Sequence, residues 1–194
     1  MLNHIRPAVV MIALFTGVLG VAYPLAVTGV AQAAFPGQAN GSLVRDKAGQ
    51  VVGSALVGQP FAQSGYLQPR PSAAGKGYDA AASSGSNLGP LNPDLIARVK
   101  TDAEALRAET GKAVIPADAV TTSASGLDPH ISPAYAELQV ARIASARGVG
   151  EARVREVIRQ HEEGRTFGVL GQPRVNVLLT NMALDARFPH PAEG

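Results

Sequence analysis

Residues 8–30 read AVVMIALFTGVLGVAYPLAVTGV, and this stretch decides how the chain is organised. Residues 7–44 contain no charged side chain. A helix that crosses a bilayer needs about 20 mostly apolar residues, and it satisfies its own backbone hydrogen bonds there. The sequence therefore predicts a cytoplasmic N-terminus over residues 1–7, a transmembrane helix over 8–34 and a soluble extracytoplasmic domain over 35–194.

Two other interpretations of the apolar stretch must be weighed. A cleaved signal peptide is one, because the residues AQA at 31–33 match the small-residue pattern of a cleavage site. The apolar run is longer than a usual signal peptide core, and Arg6 is the one fixed positive side chain before it. The other is a buried core helix, which is normally shorter and apolar on one side. We therefore favour an uncleaved anchor.

Basic residues on either side of the predicted helix bear on its orientation. Arg6 and the amino terminus come directly before it, whereas Arg45 and Lys47 follow at some distance. Cytoplasmic flanks are enriched in Lys and Arg. We therefore expect a single-pass protein of the inner membrane with its N-terminus in the cytoplasm and its main domain outside.

Small residues recur along the predicted helix. At a period of 3.6, Ala13, Gly17 and Gly20 fall on one face, and Pro24 continues it. Such a face lets another helix approach closely, although an ordinary anchor also contains glycines. Pro24 further predicts a kink near Tyr23, because proline removes one helical hydrogen bond.

The composition of the 194 residues excludes several classes of protein. There is no cysteine, which excludes disulfide frameworks, thiolate zinc sites, iron–sulfur clusters and a cysteine nucleophile. The formal net charge is +2, and no block of Lys and Arg with interleaved aromatics occurs, so nucleic acid is not an expected partner. Membrane lipids are an expected partner, because the sequence predicts a transmembrane helix.

The part after the apolar stretch begins with strand patterns. Residues 42–45 and 50–57 are strand-like runs, and Asp46, Lys47, Ala48 and Gly49 between them predict a hairpin turn. Residues 59–90 are rich in Gly, Pro, Ser and Ala and show no period. A loop of this length is normally functional or tightly packed, here against a partner.

Helices are predicted further along the chain. Asn92 caps the first, Pro93 opens it and Gly111 ends it. Its predicted apolar face consists of Leu95, Ile96, Val99, Ala103 and Leu106.

Three later segments complete the prediction. A second helix runs from Ser132 to Gly148 and a third over residues 150–163, whereas residues 176–185 fit either a helix or a strand. His161 lies at the end of the apolar side of the third helix, where a half-buried packing role is expected. The predicted fold class is α+β, with one transmembrane helix followed by a small mixed domain.

A possible chemical site lies around residue 128. Ser123 or Ser125 with Asp128 and His130 supplies the residue types of a hydrolase triad, but no nucleophile-elbow motif is present. Asp128 and His130 are also too few for a metal site. The segment 126–130 instead predicts a rigid turn in which Asp128 and His130 bond backbone groups.

Six segments, in order, resemble the C subunit of the Kdp-type potassium-transporting ATPase. They are YPL at 23–25, GSALVGQ at 53–59, YLQPRPSA at 66–73, SGSNLGP at 84–90, SGLDPHIS at 125–132 and GQPRVNVL at 171–178. Each is short, but together they span nearly the whole chain in the family's order.

The resemblance implies a non-catalytic accessory subunit of an ATP-driven potassium uptake complex. It implies three protein partners: a channel-like potassium-translocating subunit, a P-type ATP-hydrolysing subunit and a small single-helix subunit. It also implies a role in assembly and stability, and a catalytic-chaperone role that raises the ATP affinity of the hydrolysing subunit. No bound cofactor is assigned to this chain; ATP is a possible ligand through the complex, and the sequence identifies no nucleotide-binding residues. An exported hydrolase and a secreted binding module are the alternatives.

Polar and aromatic residues of the loop and the turn are the candidate interface. An interface uses aromatic and Arg anchors of this kind, and internal bracing of the loop requires the same residue types. The candidates are Gln59, Phe61, Tyr66, Arg70, Asn87, Asp128 and His130.

Overall fold

The structure is a computed structural model that describes residues 4–189, and the chain divides after Val52 into two units. The first unit begins with one continuous helical run, Ile5–Ala34, of 30 residues. It consists of α1 (Ile5–Phe15), a π-helical stretch (Thr16–Ala22) and α2 (Tyr23–Ala34), and none of these residues is buried. The predicted apolar helix is therefore present, and it starts at Ile5 rather than at residue 8.

A π-helical stretch precedes Pro24, and the kink predicted near Tyr23 stays a prediction. Pro24 lies in the first turn of α2, and the wider turns end at Ala22 directly before it. A wider turn relieves the clash between the proline ring and the preceding carbonyl groups. The face of Ala13, Gly17, Gly20 and Pro24 was derived from a period of 3.6, and a π-helical stretch changes that period. Packing of another helix against these residues stays a prediction.

A short helix and a hairpin follow the apolar helix. They are α3 (Pro36–Ala39), β1 (Leu43–Arg45) and β2 (Val51–Ser54), and the two strands pair with each other. Asp46 closes the turn, because its Oδ1 accepts hydrogen bonds from the amides of Ala48 and Gln50 at 2.9 and 2.8 Å. The predicted hairpin is confirmed.

The second unit, from Gly53 onward, is a mixed domain. Its helices are α4 (Pro93–Thr110), α5 (Pro133–Leu138), α6 (Val140–Arg147), α7 (Glu151–Gln160) and α8 (Val177–Arg187). Its strands β3 (His130–Ile131), β4 (Glu162–Glu163) and β5 (Arg174–Asn176) form an antiparallel sheet in the order β3-β5-β4. The mixed α and β class is confirmed.

The core lies where the helices pack on the sheet. Ile131 and Val175, which face each other across β3 and β5, are buried, as are Val154 and Val157 of α7. Burial of such side chains supplies about 1.5–3 kcal/mol each. The short sheet therefore depends on the helices, which cover its apolar side.

Several predicted boundaries change in the structure. The helix predicted from Ser132 to Gly148 is two helices, because the chain breaks its pattern at Gln139. Ile96 is more than half exposed, so it does not belong to the buried face of α4. The third helix ends at Gln160, and the residues that follow form β4. Residues 176–185, which fitted two interpretations, belong mainly to helix α8.

Candidate functional site

Two amide side chains form hydrogen bonds with the backbone of the long loop, residues 59–90; one belongs to α8 and the other to the junction between α5 and α6. Asn181 of α8 accepts from the amide of Leu67 at 2.7 Å and donates to its carbonyl at 2.9 Å. Gln139 does the same for Gln68, at 2.7 and 3.0 Å. These paired bonds replace the partners that a neighbouring strand would supply. Leu67 is thereby held fully buried in the core.

A buried arginine anchors the start of the same loop. Arg147, whose side chain has no exposed surface, donates to the carbonyls of Gly65 and Phe188, each at 2.6 Å, and to Asp185 at 2.8 Å. Its guanidinium lies 5.0 Å from the centre of the Tyr66 ring. Each nitrogen of the guanidinium therefore has a hydrogen-bond acceptor, as burial of a charge requires.

Tyr66 joins this anchor to a second aromatic residue. Its ring centroid lies 5.6 Å from that of Phe61, in a tilted arrangement that aromatic pairs favour. Its hydroxyl donates to Asp185 at 3.1 Å. Burial and the negative charge of Asp185 raise the pKa of Tyr66. The hydroxyl thus remains a donor at neutral pH.

Arg70 connects the loop to the turn at residue 128. Its Nη1 lies 3.0 Å from Oδ2 of Asp128, and its other nitrogens reach the carbonyls of Thr121 and Thr122 at 3.4 and 3.3 Å. Burial disfavours the Asp128 carboxylate, but the hydrogen bonds of His130 and the charge of Arg70 together outweigh burial. The pKa of Asp128 is therefore lowered.

His130 lies between two carboxylates. Its Nδ1 is 3.7 Å from Asp128 and its Nε2 is 3.9 Å from Glu163, while its backbone amide donates to Oδ1 of Asp128 at 3.0 Å. Glu163 is in turn paired with Arg174 at 2.7 Å. The turn predicted at 126–130 is thus present, and Asp128 bonds a backbone amide as expected. The ring of His130 lies instead beside the side chains of Asp128 and Glu163.

The arrangement does not assemble a nucleophile. Ser125 accepts the amide of Leu127 at 3.1 Å, and its hydroxyl lies 3.4 Å from that of Ser123. Within residues 4–189, no hydrogen bond joins either serine to His130, and no group of three metal-ligating side chains occurs. A hydrolase triad at His130 is therefore not formed in this geometry.

Glycines let the loop approach the turn closely. A Cβ on Gly126, whose φ is +66°, would lie 2.6 Å from the nitrogen of Ala74. A Cβ on Gly53 would lie 2.4 Å from Oε1 of Gln59, so Gln59 packs against this backbone. Asn87 adopts φ of +53°, a conformation that asparagine tolerates better than most residues. Gln59 and Asn87 therefore have clear local roles.

A groove of about 840 Å³ lies between the end of α4 and helices α5–α7. Its arginines pair with glutamates: Glu109 lies 3.3 Å from Arg142, and Glu137 and Glu151 each lie 2.7 Å from Arg155, while Lys112 also lines the groove. Burial lowers the pKa of Arg142, although Glu109 opposes this. These paired arginines are not free for a phosphate group.

Comparison with known proteins decides the family. A sequence model of the family described as K+-transporting ATPase, c chain (KdpC) matches residues 5–186. This chain belongs to the KdpC family. The KdpC subunit of the potassium-transporting ATPase from Caulobacter sp. (strain K31) is 67% identical over 189 residues, which cover 97% of this chain and 96% of that protein.

More distant KdpC relatives match over similar lengths. Those from Beijerinckia indica and Geobacter metallireducens are 59% and 52% identical, over 97% of this chain in each case and over 96% and 100% of those proteins. The expected family is confirmed.

Most of the hydrogen bonds and ion pairs described above involve residues in or beside the KdpC motifs. All the predicted interface residues lie in or beside the motifs: Gln59, Phe61, Tyr66, Arg70, Asn87, Asp128 and His130. The structure brings Arg70, Asp128 and His130 together. Phe61 and Tyr66 form a separate cluster with Arg147. These contacts are internal braces of the domain, and an interface role for the same residues stays a prediction.

The residues that contact the loop from the helical part of the domain were not predicted from the sequence. Four residues hold the loop in this way: Gln139, Arg142, Arg147 and Asn181. Arg142 donates to the loop carbonyls of Ser64 and Tyr66 at 2.6 and 3.1 Å. A signal exists for two of them, because Arg147 and Asn181 occupy positions that continue the apolar faces of α6 and α8. A polar residue at such a position is buried and needs partners.

Proposed function

We propose that this chain is the anchored, non-catalytic accessory subunit of an ATP-driven potassium uptake complex, needed for its assembly and stability. One observation supports this above others: a 30-residue apolar helix, none of it buried, precedes a domain whose polar side chains brace its own loops. Such a helix requires lipid or other helices around it. The proposed partners are the potassium-translocating subunit, the ATP-hydrolysing subunit and the small single-helix subunit.

The proposed topology places the N-terminus in the cytoplasm and the mixed domain outside the inner membrane. The charge distribution supports this arrangement, because Arg6 directly precedes the apolar run. Within Ile5–Ala34 there is no carboxylate, and ion-coordinating groups in membrane helices are typically polar or charged. We propose that potassium passes through a partner rather than through this helix.

We further propose that any effect on ATP affinity is transmitted through the assembled complex. The arginines of the groove are paired with glutamates, which supports an indirect effect over a nucleotide held by this domain. Measuring the ATP concentration for half-maximal hydrolysis, with and without this subunit in the complex, tests the role. Direct binding of ATP to the isolated full chain would contradict the indirect mechanism.

Co-purification tests the assembly role. A tagged full-length chain, expressed with the other subunits and extracted in mild detergent, should retain them in a fixed ratio. A matched chain with Gly17→Leu and Gly20→Leu tests whether the small-residue face contributes, and we expect it to retain less of the partners. Recovery of the unsubstituted chain alone would contradict the proposal, and loss of the first 33 residues in an intact-mass measurement would favour a secreted binding module.

Single cysteines test the topology, because the chain contains none of its own and maleimide can label it only at the introduced position. His4→Cys and Lys112→Cys both replace exposed residues, one on each side of the proposed membrane. A membrane-impermeant maleimide should label Lys112→Cys in intact spheroplasts and His4→Cys only after lysis. The reverse pattern would invert the proposed orientation.

A further inference from the structure

The segment between β4 and β5 presents three large apolar side chains to solvent. We call residues 164–171 the finger. Within it, Phe167 is 90% exposed, Val169 71% and Leu170 59%. Single exposed apolar residues are common on surfaces, but a cluster of this kind marks an interaction site.

The finger is a preformed structure. Thr166 and Leu170 exchange both backbone hydrogen bonds, each at 2.9 Å, and the amide of Gly168 donates to the carbonyl of Arg165 at 3.0 Å. At its root, Arg165 donates to Gln172 at 3.1 Å. A segment held in this way loses little conformational freedom when it binds.

Phe167 occupies an unfavourable backbone conformation. Its φ is +54°, in the left-handed region that glycine adopts readily and bulky residues avoid. The side chain is almost fully exposed, so packing within this chain does not compensate for the conformation. Strain of this kind at an exposed position points to a functional contact.

An apolar finger can be covered by a lipid membrane or by a pocket in a protein. The charged residues at the base of the finger distinguish between these two environments. Residues 162–174 contain two glutamates and two arginines. Arg174 is paired with Glu163 at 2.7 Å, and Arg165 is engaged by Gln172. Segments that bind anionic membranes carry an excess of Lys and Arg toward the lipid headgroups. The balanced, internally engaged charges of the finger suit an apolar protein pocket instead.

We propose that the finger docks into an apolar pocket on the extracytoplasmic face of a membrane-embedded partner subunit, with Phe167 as the anchor. This inference rests on the proposed function, which supplies the partner. Buried aromatic anchors dominate the binding energy of many protein interfaces. Val169 and Leu170 then surround the anchor and exclude water from it.

A binding measurement on the full chain tests the anchor. The Lys112→Cys chain, labelled with a fluorophore, is titrated with detergent-solubilised ATPase assembled without this subunit. Phe167→Gly should weaken binding by about 30-fold, because it removes the anchor. Leu91→Ser removes another side chain that is 88% exposed, and it should change affinity by no more than about twofold.

The choice of glycine separates binding from folding. Glycine tolerates the backbone conformation of residue 167, so Phe167→Gly should unfold at the same temperature as the unsubstituted chain or a higher one. Equal affinity of Phe167→Gly and the unsubstituted chain would overturn this inference and leave the proposed function intact. Failure of the unsubstituted chain to bind would remove the proposed function and this inference with it.

A spectroscopic test distinguishes a protein pocket from lipid. The chain contains no tryptophan, so Phe167→Trp introduces a unique reporter at the tip of the finger. With the chain alone in nanodiscs of phosphatidylethanolamine and phosphatidylglycerol, we expect the emission of a water-exposed indole that iodide quenches. Blue-shifted emission protected from iodide would show that lipid covers the finger, and it would overturn the inference.

Discussion

At the scale of single residues, Arg147 illustrates how the domain uses a buried charge. It satisfies two backbone carbonyls and one carboxylate while its guanidinium lies over Tyr66. Arg147→Ala leaves these acceptors without their donor, and we expect the free energy of unfolding to fall by about 3 kcal/mol or more. Denaturant unfolding of the full chain in detergent measures this value.

Arg159 provides the matched control for Arg147. It belongs to an exposed pair with Glu156 on α7. Arg159→Ala should change the free energy of unfolding by no more than about 0.5 kcal/mol, because exposed ion pairs contribute little. Similar effects of the two substitutions would show that the buried arginine is not the anchor described here.

The lowered pKa of Asp128 predicts that the stability of the domain depends on pH. Because its pKa is lowered in the folded domain, its ionised form stabilises the fold above its ordinary pKa of about 3.9, and this contribution is lost as pH falls through the folded value. Asp128→Asn should lower the free energy of unfolding at pH 7 by about 1–3 kcal/mol. The difference from the unsubstituted chain should shrink as the pH is lowered below about 4.

Unfolding temperatures across this pH range provide the measurement. Glu104→Gln is the control, since the ion pair of Glu104 with Lys100 is exposed and spans 3.9 Å. Its curve should follow that of the unsubstituted chain. A constant difference between Asp128→Asn and the unsubstituted chain down to pH 3 would contradict the role assigned to the Asp128 charge.

At the scale of elements, the loop and the turn are held together by close backbone approach. Gly126 has φ of +66°, and a Cβ there would lie 2.6 Å from the Ala74 nitrogen and 2.7 Å from the Ser84 oxygen. Gly148 has a similar φ of +63° with open space around it. The two glycines therefore separate the effect of conformation from the effect of contact.

We expect Gly148→Ala to destabilise the domain by about 1–2 kcal/mol, which is the penalty of the left-handed conformation. Gly126→Ala should destabilise the domain by about 1–3 kcal/mol more than Gly148→Ala, because the loop must also move away from the new methyl group. Thermal unfolding of both variants tests the difference. Equal destabilisation would show that the loop does not depend on this approach.

At the scale of the whole molecule, the described core belongs to one unit. The buried hydrophobic cluster contains only residues from position 67 onward, within the unit that starts at Gly53. A fragment comprising residues 53–194 should therefore remain soluble without detergent and unfold in one cooperative transition. A broad transition, together with binding of a dye for exposed apolar surface, would show that the fold needs the first unit.

Four features were predictable from the amino-acid sequence: the apolar helix, the hairpin, the boundaries of α4 and the family. These features depend on local patterns: an uninterrupted apolar run, a turn around Asp46, and a cap at Asn92 with a glycine at position 111. Each involves residues within a few turns of one another, so their order along the chain is sufficient. The resemblance likewise needed only short segments in a fixed order.

The side-chain contacts across the domain could not be predicted from the sequence and are known from the folded chain. Arg147 binds Gly65, Asn181 binds Leu67 and Arg70 binds Asp128, pairs that are separated by 58 to 114 positions. Spacing along the chain cannot specify such contacts, because they depend on how the helices pack and where the loop crosses them. For the same reason, the exposure and strain of Phe167 emerge only once β4 and β5 are paired and the finger is closed.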